Sequence, residues 1–270
     1  MTIELGILGS GNMAEAIARG VIRSGLLRPD QILAADVSPQ RRELFSKELG
    51  VRAVDDNREV ARQARTLLLS VKPQHMKEVL AGIGPVTSPD ALVISIAAGV
   101  SSTFIETHLG GGKNWRVIRT MPNTPMLAGE GMVALARGRH ATAQDAGAAR
   151  KLFEAAADVI DVAEDKLDAV TAVSGSGPAY VFYLAEQMIR AGQELGLADE
   201  DSRKLAIKTC VGAAKMLATS ADTPEELRRK VTSPGGTTQA AITHLDQNQV
   251  GRMIVEAIQA AARRSRELGS

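Results

Sequence analysis

The chain has 270 residues, 44% of them hydrophobic and only 3% aromatic, and its 32 basic and 31 acidic side chains leave a formal net charge of +1. That length accommodates a large core and two domains, and the balanced charge leaves no basic block for nucleic acid or an anionic membrane. No apolar run approaches a membrane span and no charged leader precedes a hydrophobic stretch, so a cytoplasmic protein is expected.

The first predicted unit is a buried strand, Ile3–Leu8, then the glycine turn Gly9-Ser-Gly-Asn-Met-Ala14 and an amphipathic helix to Ile22. This strand–turn–helix context gives the G-x-G-x-x-A spacing its meaning as a dinucleotide fingerprint. Gly9 permits the tight turn, Gly11 lets the backbone approach a pyrophosphate, and Ala14 lets helix and strand pack closely. The amides near Asn12 and Met13 would face that anion at a helix N-terminus. A strand at Gln31–Asp36, a helix over Pro39–Leu49 closed by Gly50, a brief strand at Val51–Val54 and a short helix near residues 58–64 follow. The run Thr66–Val71 reads as a central parallel strand, and Pro73 starts a helix through Leu80. A strand at Ala91–Ile96, a helix over Ser102–Leu109 and a strand at Arg116–Arg119 complete the alternation. Strands alternating with helices of this length predict an α/β fold, a Rossmann-like, doubly wound, mainly parallel sheet.

Between Gly131 and Glu164 a strand (Met132–Ala136), a helix (Thr142–Ala157) and a strand (Val159–Val162) are expected as additions at the sheet edge. From about 165 the pattern is helical only: Pro178–Leu195, 201–219, a helix begun by the capping box Thr223-Pro-Glu-Glu226, Thr238–Leu245 and Val250–Leu268. Two domains are therefore expected, residues 1–164 for a dinucleotide and an all-α domain over 165–270. The apolar stripes of the second are too long for a free-standing bundle, which predicts completion by a second subunit as an obligate dimer.

Four irregular stretches break the periodicity at expected strand ends or helix starts, where ligands bind in open α/β sheets. They are Val71-Lys-Pro-Gln74, the proline-rigid Met121-Pro-Asn-Thr-Pro125, Val173-Ser-Gly-Ser-Gly-Pro178 and Ser233-Pro-Gly-Gly-Thr-Thr238. The last two are small-residue loops opening helices, suited to an anion. Neither ends in Gly-Lys-Ser/Thr, so a carboxylate is the more natural guest than a phosphate. No carboxylate pair, Ser-His-Asp set or activated cysteine accompanies them. The one cysteine, Cys210, lies on a helical apolar face and reads as a small buried hydrophobe in a reducing compartment. His75, His108, His140 and His244 are scattered without ligand spacing, so no metal is expected. Chemistry that needs little from side chains is implied, and hydride transfer from a cofactor fits.

Five segments together resemble the pyrroline-5-carboxylate reductases, in order and spacing: Gly6–Ala14, Val71–Pro73, Arg119–Pro125, Val173–Val181 and Val231–Thr238 with its continuation to Asp246. The resemblance covers essentially the whole chain. It implies reduction of L-1-pyrroline-5-carboxylate to L-proline, the last step of proline biosynthesis, by NADPH or NADH. It further implies that the amides around Gly236–Thr238 hold the substrate carboxylate, that the Thr238 hydroxyl contacts the ring nitrogen as the catalytic group, and that Ser233, Gly235, Thr237, Ser174 and Thr171 belong to the substrate site. Val71, Lys72 and Pro73 with Met121, Pro122 and Asn123 would frame the nicotinamide, and Asn57 would contact the adenosine ribose or its phosphate. Family members form interlocked homodimers, often assembled into larger rings. An alternative is another imine or 3-hydroxy-acid dehydrogenase of this architecture, or a non-catalytic nucleotide-binding relative.

Asp36 departs from the family pattern. An acid ending the second strand bonds the ribose 2′-hydroxyl of NAD and repels a 2′-phosphate. Ser38, Arg41 and Arg42 follow it and would receive a phosphate if Asp36 turned outward. Use of both dinucleotides is expected, NADPH as the family default and NADH gaining from Asp36.

Overall fold

A computed structural model describes residues 2–268. Two compact units divide the chain: one runs to Ser176 and takes in the end from Ala261, and the other is Gly177–Ala260. The first contains β1 (Ile3–Leu8), β2 (Ile32–Ala35), β3 (Arg52–Val54), β4 (Ala64–Leu69), β5 (Leu92–Ser95), β6 (Arg116–Pro122), β7 (Gly131–Arg137) and β8 (Ala157–Asp161). They make one sheet in the order β3-β2-β1-β4-β5-β6-β7-β8. Every neighbouring pair is parallel except β6 with β7. The crossover helices are α1 (Asn12–Arg23), α2 (Pro39–Leu49), α3 (Asn57–Gln63), α4 (Met76–Ile83), α5 (Ser102–Leu109) and α6 (Ala143–Glu154).

Alternate side chains of the central strands enter two separate cores, because a parallel sheet covered by crossover helices is buried on both faces. Leu5 and Ile7 of β1 pack with Ile17 and Val21 of α1, Phe45 of α2 and Phe153 of α6. Leu8, with Leu67 and Leu69 of β4, packs against Val60 of α3, Leu80 of α4 and Ile105 of α5. Trp115, the one tryptophan, is fully buried in the second core, and its indole N–H donates to the Gly110 carbonyl at 2.9 Å. Apart from Phe45, Phe153 and Trp115, the buried side chains of both cores are aliphatic or methionine.

After β8 come α7 (Leu167–Val170), a π-helical turn over Thr171–Gly175, α8 (Gly177–Glu194), α9 (Asp199–Thr219), α10 (Pro224–Lys230), α11 (Thr237–Gln247) and α12 (Val250–Leu268). The Val173–Pro178 stretch, expected as a loop, is thus largely helical. Thr171–Gly175 packs on the end of β6, and a Cβ on Gly175 would lie 2.6 Å from the Met121 methyl. The expected boundary at 164/165 falls just after the last strand, whereas the compact units divide at Ser176/Gly177.

Within the second unit α8 and α9 pair closely, Gly192 facing Ser202. The capping box on α10 forms as expected, Thr223 and Glu226 each accepting from the other's backbone amide. No helix among the described residues is long and apolar enough to cross a membrane.

Candidate functional site: a glycine turn at the sheet's switch point

The strand order reverses at β1, whose neighbours are β2 and β4. The glycine turn leaves β1 at that point, with the Gly9 N–H donating to Ala35 O and the Ser70 N–H donating to Leu8 O, both at 2.8 Å. Gly9 has φ +93°, and a Cβ there would lie 2.8 Å from Ser70 O and 2.9 Å from the Val71 nitrogen. Only glycine fits that combination. Gly11 is the N-cap of α1 with φ −69° and no side-chain cap, and a Cβ there would meet nothing within 4 Å. An open cradle at a helix N-terminus without a capping side chain suits a pyrophosphate.

A cleft of about 610 Å³ lies there, lined by Gly9, Gly11, Asp36, Asn57, Val71 and Lys72 among the expected cofactor residues. Asn12 and Met13 open α1, Ser38 caps α2, and Pro73 opens a 3₁₀ turn before α4; these four stand beside the lining. The cleft is also lined by Asp55, Asp56 and Arg58 at the start of α3, and by His75, Glu78, Val79 and Gly82, none of which the sequence assigned to a cofactor. The signal was available for the last group. Residues 75, 78, 79 and 82 have one-face helical spacing, on the segment that follows the strand ending at the cleft. Among the described residues no group of three or more His, Cys, Asp or Glu is placed to hold a metal ion.

Asp36 faces inward, so the outward turn that would free its neighbours for a phosphate is not what the structure shows. Its carboxylate accepts from the Ser10 N–H at 2.6 Å and the Ser38 N–H at 2.8 Å, tying the β2 end to the glycine turn. The Arg42 guanidinium donates to the carbonyls of Asp36 and Val37 at 2.8 and 3.0 Å. Arg41 donates to Glu15 at 2.8 Å and to the Ser10 carbonyl. The Ser38 hydroxyl donates to Gln40 Oε1 at 2.9 Å. Each group expected to receive a phosphate has a partner within the chain.

Met121, Pro122 and Asn123, expected to frame the nicotinamide, lie at the end of β6, and Thr171 and Ser174, expected at the substrate, lie in the π-helical turn. Pro122 is buried and Met121 packs with Leu167 and Ala134. The Asn123 side chain is held at both ends, its Oδ1 accepting from the Met132 N–H at 2.8 Å and its Nδ2 donating to the Ser174 hydroxyl at 3.1 Å. The Thr171 hydroxyl donates to Leu167 O at 2.8 Å. These polar groups stiffen the junction between strand and turn.

In the second unit, the 233–238 loop turns through Gly235 (φ +72°). The Gly236 N–H donates to Ser233 O at 3.0 Å, and the Gly235 N–H to the Gln239 side chain. Gly236 is the N-cap of α11 and offers no side chain, so the amides of Thr237 and Thr238 open the helix without a side-chain cap. Thr238 is half-buried and lies within the first turn, because α11 starts one residue earlier than expected. A shallow pocket of about 410 Å³ follows this face, lined by Gly235, Gly236, Gln239, Thr243 and His244.

Comparison with known proteins accounts for the whole chain. Residues 164–268 match the family model of pyrroline-5-carboxylate reductase dimerisation, and residues 4–99 match that of NADP oxidoreductase, coenzyme F420-dependent. A curated pyrroline-5-carboxylate reductase of Synechocystis is 41% identical over 270 residues, covering 100% of this chain and 99% of that protein. The solved pyrroline-5-carboxylate reductase of Coxiella burnetii superposes with a TM-score of 0.89 at 35% identity, covering 100% of both chains. The Plasmodium falciparum pyrroline carboxylate reductase, solved with NADP bound, superposes with a TM-score of 0.88 at 29% identity over 99% of this chain and 98% of that one. With likeness of this degree from end to end, the chain belongs to the pyrroline-5-carboxylate reductase family.

Proposed function

We propose that the protein reduces L-1-pyrroline-5-carboxylate to L-proline. The observation that carries this reading is the coincidence of full-length family likeness with an intact glycine cradle at the sheet's switch point. A reduced nicotinamide dinucleotide supplies the hydride. Gly9, Gly11 and the amides of Asn12 and Met13 hold its pyrophosphate. Asp36 and Asn57 serve the adenosine end, while Val71, Lys72 and Pro73 with Met121–Asn123 frame the nicotinamide.

Gly236, Thr237 and Thr238 offer backbone amides to the substrate carboxylate, with Ser233 and Gly235 on the same loop, and Ser174 and Thr171 are the further substrate residues that the family likeness implies. The hydride adds to the imine carbon, and the ring nitrogen carries the proton that makes that carbon electrophilic. With no dedicated acid on these loops, the substrate binds already protonated or takes its proton from water, and the Thr238 hydroxyl orients the nitrogen. Both dinucleotides are used, NADPH as the family default and NADH gaining from the inward carboxylate of Asp36. Residues 165–270 form the substrate and dimerisation domain of a homodimer, the unit from which family members assemble larger rings.

The test is loss of reduced-nicotinamide absorbance on adding pyrroline-5-carboxylate, run with NADH and NADPH in parallel. Turnover with both is expected. Absence of turnover with either would overturn the reading.

A further inference from the structure

We propose that Glu15 decides between the two dinucleotides as a positioning residue, by holding Arg41 on the glycine turn and away from the adenosine ribose. This rests on the reading of the cleft as a nicotinamide dinucleotide site.

Arg41 stands five residues after Asp36, in the first turn of α2. That is where a cation would have to be to receive a 2′-phosphate. Its guanidinium is engaged on two sides. One nitrogen donates to Glu15 Oε2 at 2.8 Å, and another donates to the carbonyl of Ser10, a fully buried residue whose own amide is bonded to Asp36. Glu15 is itself anchored. Its other oxygen accepts from Arg19 at 2.8 Å, and Arg19 continues to Glu48 at 2.5 Å. Burial pushes the Glu15 carboxyl up, but the bonds from Arg19 and Arg41 outweigh it and hold it below the usual carboxylate range, so the clamp is ionised at neutral pH. Charge-assisted bonds of this kind are the strong ones, and a ligand phosphate must compete with both to draw Arg41 away. Arg42 cannot substitute while it donates to the carbonyls of Asp36 and Val37.

The experiment is calorimetric titration of the full chain with NAD⁺ and NADP⁺, reading the ratio of the two dissociation constants. In Glu15→Gln, Arg41 loses its charged partner, and affinity for NADP⁺ should rise about fivefold to thirtyfold, the scale of one charge-assisted hydrogen bond. NAD⁺ should stay within about twofold. In Glu15→Gln with Arg41→Gln the gain should vanish. In Arg41→Gln alone the ratio should stay at the wild-type value, because a clamped Arg41 gives the phosphate nothing.

An unchanged ratio in Glu15→Gln overturns the proposal. So does a gain that persists in the double variant, which would assign the phosphate to another cation such as Arg58 of the cleft, or a ratio shifted against NADP⁺ in Arg41→Gln. Wild-type protein that binds neither dinucleotide would instead overturn the cofactor reading, before any variant is made.

Discussion

Gly9 and Gly11 stand two residues apart in one turn, and substitution at the two has opposite consequences. Alanine at Gly9 meets positive φ and two backbone atoms that cannot give way, so Gly9→Ala should cost about 1–3 kcal/mol of stability. Alanine at Gly11 meets an ordinary φ and open space, so Gly11→Ala should melt within about 0.5 kcal/mol of wild type. Its methyl, though, occupies the cradle proposed for the pyrophosphate, and dinucleotide affinity should fall at least about tenfold, the scale of lost charge-assisted bonds. Thermal melts paired with titration separate the two, and wild-type affinity in Gly11→Ala would remove the anion from this turn. Thr238 tests the other half of the chemistry. If its hydroxyl orients the ring nitrogen, Thr238→Ala should lower kcat/KM severalfold to about a hundredfold and leave the dinucleotide dissociation constant alone. Unchanged turnover would take Thr238 out of the mechanism.

Glu164 shows how neighbouring elements are locked together around the β6 end. It opens the 3₁₀ turn after β8 and accepts from the Ser102 N–H at 2.7 Å, from the Ser102 hydroxyl at 2.6 Å and from Arg119 of β6 at 3.0 Å. Burial pushes this carboxyl up, yet the Ser102 bonds and Arg119 together hold it below its ordinary value. A depressed pKa contributes stability that is present at neutral pH and is lost as pH falls through the folded-state value. Glu164→Gln should therefore cost about 1–3 kcal/mol at pH 7, leaving Arg119 nearly buried and unpaired. The gap to wild type should close in acid, where both proteins carry a neutral side chain; denaturant midpoints at the two pH values measure this, and a pH-independent gap would mean that packing, not charge, is lost. The limits of α5 and α12 match the sequence reading, because caps and apolar spacing are local signals. The 173–178 stretch does not, since glycine, serine and proline usually punctuate. Here Gly175 serves a close approach to Met121, and Pro178 sits in the first turn of α8, where its missing N–H costs nothing. The inward orientation of Asp36 was not legible either, because it depends on an amide 26 residues earlier in the chain.

At the scale of the molecule, the second unit has hardly any interior of its own. Within Gly177–Ala260, Ser202 and Ala206 are the buried residues. The apolar stripes expected from periodicity stand open instead, with Leu184 56%, Val211 55%, Leu217 52% and Ile254 53% exposed. Helical hairpins with their stripes in water do not offset the conformational entropy lost on folding, and apolar surface that extensive marks an association site. The segment falls within the 164–268 match to the dimerisation family model, so the cover is expected to be the same stripes of a second copy across a two-fold axis. Light scattering should give at least the dimer mass down to nanomolar concentration, with no folded monomer. Charge placed on the stripes discriminates further. Truly solvated positions would tolerate Leu184→Asp and Leu217→Asp within about 0.5 kcal/mol each, whereas an interface cannot accept unpaired carboxylates. The double variant should lose the dimer and, with it, the ordered α11 start that carries Thr238, so mass and turnover should fall together. A double variant with wild-type melting temperature and wild-type mass would show that these faces do not form the subunit contact.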